Sequence, residues 1–189
     1  MQYDSVVLAA GYSSRAGSDK MAMAIGGSTI LGRVLDTLTG ICGEIVVVGG
    51  HHRDSTARIL ENYSNARLVI NEDYNLGMFS SVKRGAKEMT RDFFLVPGDY
   101  PLIKRETYSK LMNGTGDMAV PVYNGRKGHP VLIRRHLIEA LLKEPVESNL
   151  KAFRDRQNVQ YIDVDDEGIL LDVDTPEDLL DLRKIAEGR

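Results

Sequence analysis

Cys42 is the one cysteine in the chain, so no internal disulfide can form. No secretory signal pattern stands at the start, and together the two features predict a cytoplasmic protein. No apolar run approaches the roughly 20 residues of a membrane span, so no membrane partner is expected. Basic residues are not in excess: 24 Lys and Arg face 27 Asp and Glu, for a net charge of −3. That balance argues against duplex nucleic acid as the main partner. It leaves room for a single nucleotide, which needs only a few local cations. No internal repeat, low-complexity tract or Pro/Gly/Ser-rich linker divides the 189 residues, so one domain over residues 1–189 is expected. Such a length buries roughly 70% of its unfolded surface and needs no staples.

Apolar strand-like runs alternate with helical patterns. Strands are predicted at residues 3–9, 44–48, 67–70 and 92–96. Helices are predicted at 28–38, 54–63, 78–89 and 104–112, the first from Ile30, Leu31, Val34, Leu35 and Leu38 at 3–4 spacing. Continuous apolar strands between helices predict an α/β fold with a mainly parallel sheet covered on both faces. After residue 116 the rhythm changes. Residues 117–123 and 129–134 are strand-like, separated by Asn124-Gly125-Arg126-Lys127-Gly128, a turn or hairpin with two cations at its tip. Helices at 135–143 and 148–156 follow, then short strands at 159–164 and 168–171. The last helix starts with Thr175 as N-cap and Pro176 in first position, with Glu177 and Asp178 in its first turn.

The first strand runs into a turn of small residues, Ala9-Ala10-Gly11, followed by Arg15 and Lys20. A loop of this kind presents backbone N–H groups to phosphates, and its two cations supply charge. It is not a Walker A loop, which needs Gly-Lys-Ser/Thr contiguous. Nor does G-x-G-x-x-G follow the strand, so the dinucleotide fingerprint is absent. A different nucleotide-binding solution is implied.

Two acidic positions stand out. Phe93-Phe94-Leu95-Val96-Pro97-Gly98-Asp99 puts Asp99 at the carboxyl end of a buried strand, where open α/β sheets bind ligands. Asp172 and Asp174 are two apart and so share one side of an extended segment. Carboxylates from separate strands suit Mg²⁺, which takes carboxylate oxygens, water and substrate phosphate. Each acid also has an ordinary reading: Asp99 as a turn residue before Pro101, Asp174 as helpful charge before a helix. Asn71 follows the third strand, while Gly77, Ser80 and Ser81 open the next helix, where a polar ligand group would fit. Asn75 or Ser80 there also serves as a simple cap. The His51-His52 pair lacks the further ligands of a zinc site and reads as loop. His129, before a strand in the irregular half, is a weaker candidate for contact with an acceptor. Cys42 has no evident base, and no Ser-His-Asp set is apparent.

Five segments, in order, are similar to one known family. They are Leu8 through Lys20 (L-A-A-G-x-S-x-R-x-G-x-x-K); Asn71, Gly77, Met78 and Ser81; Gly98-Asp99-Tyr100-Pro101-Leu102; Gly128-His129-Pro130-Val131; and Asp172 through Asp178. The chain resembles the MobA-like nucleotidyltransferases and, within them, the molybdenum cofactor cytidylyltransferase branch. The resemblance implies a three-layer Rossmann-like nucleotidyltransferase fold, with a nucleotide-binding half over about 1–116 and an acceptor-binding half over about 117–189. It implies that Leu8, Ala9, Ala10, Gly11, Arg15 and Lys20 hold a nucleoside triphosphate, with Asn71, Gly77 and Ser81 near base and ribose. It implies Mg²⁺ on Asp99 and Asp174, and Ala10 leans toward CTP. One departure stands out. The branch usually carries G-D-x-G-x-R after the long helix, where this chain reads Pro145-Val146-Glu147-Ser148-Asn149-Leu150-Lys151. The acceptor is therefore left open.

The implied reaction is attack of an acceptor phosphate on the α-phosphorus of the triphosphate, with Arg15, Lys20 and Asp99 as catalytic groups. The acceptor would be a phosphorylated small molecule such as molybdopterin, and a molybdoenzyme or its chaperone a further partner. A sugar- or polyol-phosphate nucleotidyltransferase shares the opening motif. A non-catalytic nucleotide-binding accessory protein is the alternative of another class.

Overall fold

A computed structural model describes residues 2–11, 19–145 and 147–187. An eight-stranded sheet carries the structure. Its parallel centre is β1 (Asp4–Ala9), β4 (Ile45–Gly49), β5 (Ala66–Ile70) and β6 (Phe93–Pro97). The short hairpin β2 (Ala24–Ile25) and β3 (Ser28–Thr29) stands apart as a second sheet. Beyond β6 lie β7 (Met118–Tyr123), β8 (Arg126–Lys127), β9 (Val131–Ile133) and β10 (Val159–Asp163). The order is β10-β7-β9-β6-β1-β4-β5, with β8 paired to β7; β9 runs antiparallel to β6 and β7. The sheet thus takes strands from both sides of residue 116, and it is mixed where the sequence rhythm breaks.

Alternation along each strand makes two cores. Val7, Val47, Phe94 and Val96 face one side, packed on α1 (Ile30–Thr39) and α4 (Arg105–Met112) through Leu31, Leu35, Tyr108 and Leu111. Val6, Val48, Phe93 and Leu95 face the other, under α3 (Met78–Ala86), α5 (Ile138–Lys143) and α6 (Leu150–Arg154) through Phe79, Val82, Leu141 and Phe153. The outcome is the expected three-layer α/β arrangement. Among the described residues, no helix is long and apolar enough to cross a membrane.

Three local features differ from the sequence pattern. Residues 168–171 are not a strand: Glu167–Leu170 is a 3₁₀ turn, capped by Asp166 accepting from the Gly168 N–H at 3.0 Å. Only glycine fits at 168, where a Cβ would stand 2.2 Å from the Leu102 carbonyl oxygen. The 124–128 segment is tighter than expected. Asn124 and Gly125 form a two-residue turn with φ of 48° and 76°, so Arg126 and Lys127 lie in β8 rather than at a tip. The first helix starts at Ile30 because Ser28 and Thr29 pair with β2, and Thr29 caps it by accepting from Gly32 N at 2.9 Å. The remaining helices are α2 (Arg53–Leu60) and α7 (Pro176–Glu187).

Candidate active site

Strands β1 and β6 are parallel neighbours in register at Leu8 and Pro97, so their carboxyl ends open together. Ala9 and Ala10 are buried there, and Gly11 is exposed. Arg15, expected on the phosphates, lies outside the described residues. The chain resumes at Asp19, which accepts from Met21 N at 3.2 Å and from the Ser55 hydroxyl of α2. Asp19 thus fixes the 3₁₀ turn that begins with Lys20.

Lys20 points into an acidic cluster. Its ammonium donates to Asp99 Oδ2 at 2.7 Å, to the Val173 carbonyl at 2.7 Å and to Asp174 Oδ1 at 3.2 Å. Asp99, Asp172 and Asp174 each offer an oxygen within 4.8 Å of the others. The register has a simple cause. Val173 is fully buried against Ile25, Ile30, Leu102 and Leu179, so the acids flanking it stand on the opposite side of an extended segment. Its N–H also donates to the Asp99 carbonyl at 3.1 Å. Burial pulls the Lys20 ammonium down, but Asp99 and Asp174 more than offset it, and its pKa lies above the ordinary value. Burial and Asp99 together raise the Asp172 carboxyl. The helix-start role open to Asp174 in the sequence belongs to Asp178. Its carboxylate accepts from Asp174 N at 3.0 Å and Thr175 N at 2.7 Å, while Thr175 Oγ1 accepts from Asp178 N at 3.2 Å. Asp174 thereby keeps its side chain for the cluster. All three donors are hard oxygens from carboxylates, a set that fits Mg²⁺ or Mn²⁺ and not a soft metal.

Asn71 and Ser81 are buried, and they are bonded to each other: Asn71 Nδ2 donates to Ser81 Oγ at 2.9 Å and to Ser80 Oγ at 2.8 Å. They tie the end of β5 to the start of α3. Gly77 caps that helix at φ 99°, with no side-chain cap from Asn75. His52 is the N-cap of α2, and His51 meets it edge-on at 4.7 Å, a loop arrangement as expected. Cys42 is buried, which pushes its thiol up to about 12 and makes it inert.

A cleft of about 550 Å³ opens beside the cluster, shares Asp172 with it and is also lined by Tyr100. Leu8, Phe79, Val82 and Val131 form an apolar floor, and Arg126, Lys127, Lys151 and Arg154 bring four cations to its walls. Lys127 lies 4.0 Å over the Tyr161 ring, and Arg154 pairs with Asp155 at 2.8 Å. His129 lines the same cleft and meets Tyr100 edge-on at 5.0 Å. Its Nδ1 is buried without a hydrogen-bond partner, and burial lowers its pKa to about 4, so the ring is neutral near pH 7. An orphan buried N–H is costlier than a bare lone pair, which places the proton on Nε2. Tyr100 is held well above its ordinary value by burial and by Asp172 and Asp99. Sequence reasoning saw Arg126 and Lys127 only as a turn tip and missed Tyr100, Lys151 and Arg154. The available signal was Asn149, an N-cap accepting from Ala152 N at 2.9 Å, with cations on the short helix after it.

Residues 5–161 match the MobA-like NTP transferase domain. The chain belongs to that family. Within it, a molybdenum cofactor cytidylyltransferase of Escherichia coli (strain K12) is 29% identical over 179 residues, covering 94% of this chain and 93% of the relative. A protein named probable molybdenum cofactor guanylyltransferase of Bacillus cereus (strain AH820) is 30% identical over 174 residues, covering 85% and 84%. The fold is shared with a nucleotidyl transferase from Methanothermobacter thermautotroptrophicus, with a TM-score of 0.83 at 20% identity over 99% of this chain and 98% of that one. The MobA-like assignment agrees with the family that the five sequence segments resemble.

Proposed function

We propose that the protein transfers CMP from CTP to a phosphomonoester acceptor of the molybdopterin class and releases pyrophosphate. The observation that carries this reading is the acidic cluster with Lys20 at the ends of β1 and β6, opening onto a cleft walled by four cations. A phosphate monoester has its second pKa near about 6 and is largely dianionic at pH 7. One of its oxygens bonds to the α-phosphorus while the bond from that phosphorus to the bridging oxygen of pyrophosphate breaks. No proton has to be removed, so the lack of an obvious general base fits. Catalysis then rests on in-line positioning and charge neutralisation. Asp99 and Asp174, with Asp172 beside them, would hold Mg²⁺, which supplies charge neutralisation at the phosphates when bound. Lys20 and Arg15 would stabilise charge on the triphosphate. Lys127, Lys151 and Arg154 would hold the acceptor phosphate, and His129, neutral, would donate from Nε2. The modified acceptor would pass to a molybdoenzyme or its chaperone in the cytoplasm.

CTP is favoured by Ala10 and by the cytidylyltransferase relative; GTP is favoured by the guanylyltransferase relative. Thermal melts with Mg²⁺ and each of the four NTPs at equal concentration separate them. A ligand at 100 times its dissociation constant adds about 2.7 kcal/mol, which is a shift of several degrees. CTP is expected to give the largest shift; a larger one with GTP removes the cytidylyl assignment and leaves the family reading intact.

A further inference from the structure

The three hydrogens of the Lys20 ammonium are all committed, to Asp99, Val173 and Asp174. Its side chain is 12% exposed and that of Asp99 18%, so this pair is enclosed, while Asp174, at 46%, faces solvent on one side. Asp99 and Asp174 are also two of the three carboxylates that would hold a divalent cation, and Nζ pairs with both. A divalent cation on the same two carboxylates would sit close to that ammonium and repel it strongly at the low effective dielectric of a half-buried site. Nor is an ammonium with three protein acceptors available to a triphosphate.

We propose that Lys20 is an exchangeable counter-ion: it holds the Asp99–Asp174 pair until a divalent cation arrives with the triphosphate, and that arrival frees its ammonium for the phosphates. The inference rests on the reading that these carboxylates hold a divalent cation. It adds that metal alone binds weakly, because it must displace an internal cation, and that metal and triphosphate strengthen each other's binding. The three carboxylates would otherwise repel one another, so one side chain serves the empty and the loaded site in turn.

The probe is Mn²⁺ alone, titrated by electron paramagnetic resonance into the nucleotide-free wild type, Lys20→Gln and Lys20→Arg. Lys20→Gln is expected to bind Mn²⁺ tighter by about tenfold or more, and Lys20→Arg, which keeps the charge, within about threefold of wild type. Equal affinity in wild type and Lys20→Gln overturns the exchange, as does Lys20→Arg binding as tightly as Lys20→Gln. A second measurement uses only the wild type. Acylation of Lys20 by an amine-reactive reagent, followed by peptide mass spectrometry, should speed up at least about threefold at saturating Mn²⁺ as the ammonium leaves its carboxylates. An unchanged rate overturns the proposal whether or not the variants fold. If no protein binds Mn²⁺, the metal reading falls and the exchange with it. A failure of the transfer reading shows separately, as absent pyrophosphate release with these titrations unaltered.

Discussion

The acidic cluster and the cationic cleft are neighbours that share Asp172, yet they are finished to different degrees. In the cluster, every hydrogen of the Lys20 ammonium has an acceptor within 3.2 Å. In the cleft, Arg126 and Lys151 have no carboxylate within ion-pair distance among the described residues, and His129 Nδ1 has no partner. A region whose charges are already matched must exchange partners to bind a ligand. One whose charges are unmatched can simply receive it. With the cation in the cluster and the acceptor in the cleft, as proposed, the contrast predicts slow, cooperative assembly at the first and salt-sensitive docking at the second.

The strongest way to break the comparison is Asp99→Asn. It removes the charge of the carboxylate nearest to Lys20, at 2.7 Å, which is one of those that would hold the cation. Pyrophosphate release should fall about 10²–10³-fold, the usual cost of losing an electrostatic catalytic contact. The Mg²⁺ concentration for half-maximal rate should rise. Asp172→Asn should behave differently, because the Lys20 ammonium donates to Asp99, Val173 and Asp174 rather than to Asp172, and the Asp172 carboxyl is raised by burial and Asp99. A raised acid is charged at a cost in the fold above its unfolded pKa, so Asn is expected to raise the melting temperature at pH 7. A magnesium titration beside metal-free melts checks both; unchanged magnesium dependence in Asp99→Asn would remove the metal role.

Lys151→Ala and Arg154→Ala sharpen the other side. Each should raise the KM for a phosphomonoester acceptor about tenfold and leave the KM for the nucleotide within about twofold, with the wild-type acceptor KM rising with salt. Equal effects on both substrates would show that the cleft is not separate from the nucleotide site.

The smallest expected effect concerns His129. Its folded pKa, about 4, is depressed below the ordinary 6.5, so the unfolded chain takes up the proton first. The stabilisation is present above pH 6.5 and is lost as pH falls from 6.5 toward 4. Between pH 7 and 5 the loss should be about 1–2 kcal/mol, and His129→Gln should flatten that part of the melting curve against pH. A wild-type profile no steeper than that of His129→Gln would mean the ring is free to protonate.

Much of this was legible in the chain because it depends on short-range pattern. β1, β4 and β6 are unbroken buried runs, and an acid just past such a run lies at a ligand-binding edge wherever the sheet is parallel. Asp99 is legible that way, Lys20 as a cation of the small-residue loop after β1, and Asp174 as an acid after a strand-like run that is in fact a 3₁₀ turn; the three meet. Asp172 was recognised on the correct side of its segment but not as a member of the cluster, since that depends on Val173 being anchored in a separate core. The 3₁₀ turn at Glu167–Leu170 was misread as strand because its cause is distant. Asp166 also accepts from Lys104 N at 2.8 Å and Thr107 Oγ1 at 2.7 Å, and no local periodicity reports that. The cleft cations come from β8 and α6, which only the pairing of β7 with β8 and the packing of α6 on the sheet bring together.

The cluster joins Lys20 and Asp99 to residues near the far end of the chain, and this has a consequence for how the protein is made. At ribosomal speeds of about 5–20 residues per second, Asp174 is added roughly 4–15 s after Asp99, 75 residues later. During that interval the central strands β1, β4, β5 and β6 can already pair, while Asp99 and Lys20 have only each other. A nascent chain therefore presents one carboxylate where the finished protein presents three. On the proposed reading, the divalent-cation site would be completed only when the last part of the chain joins it.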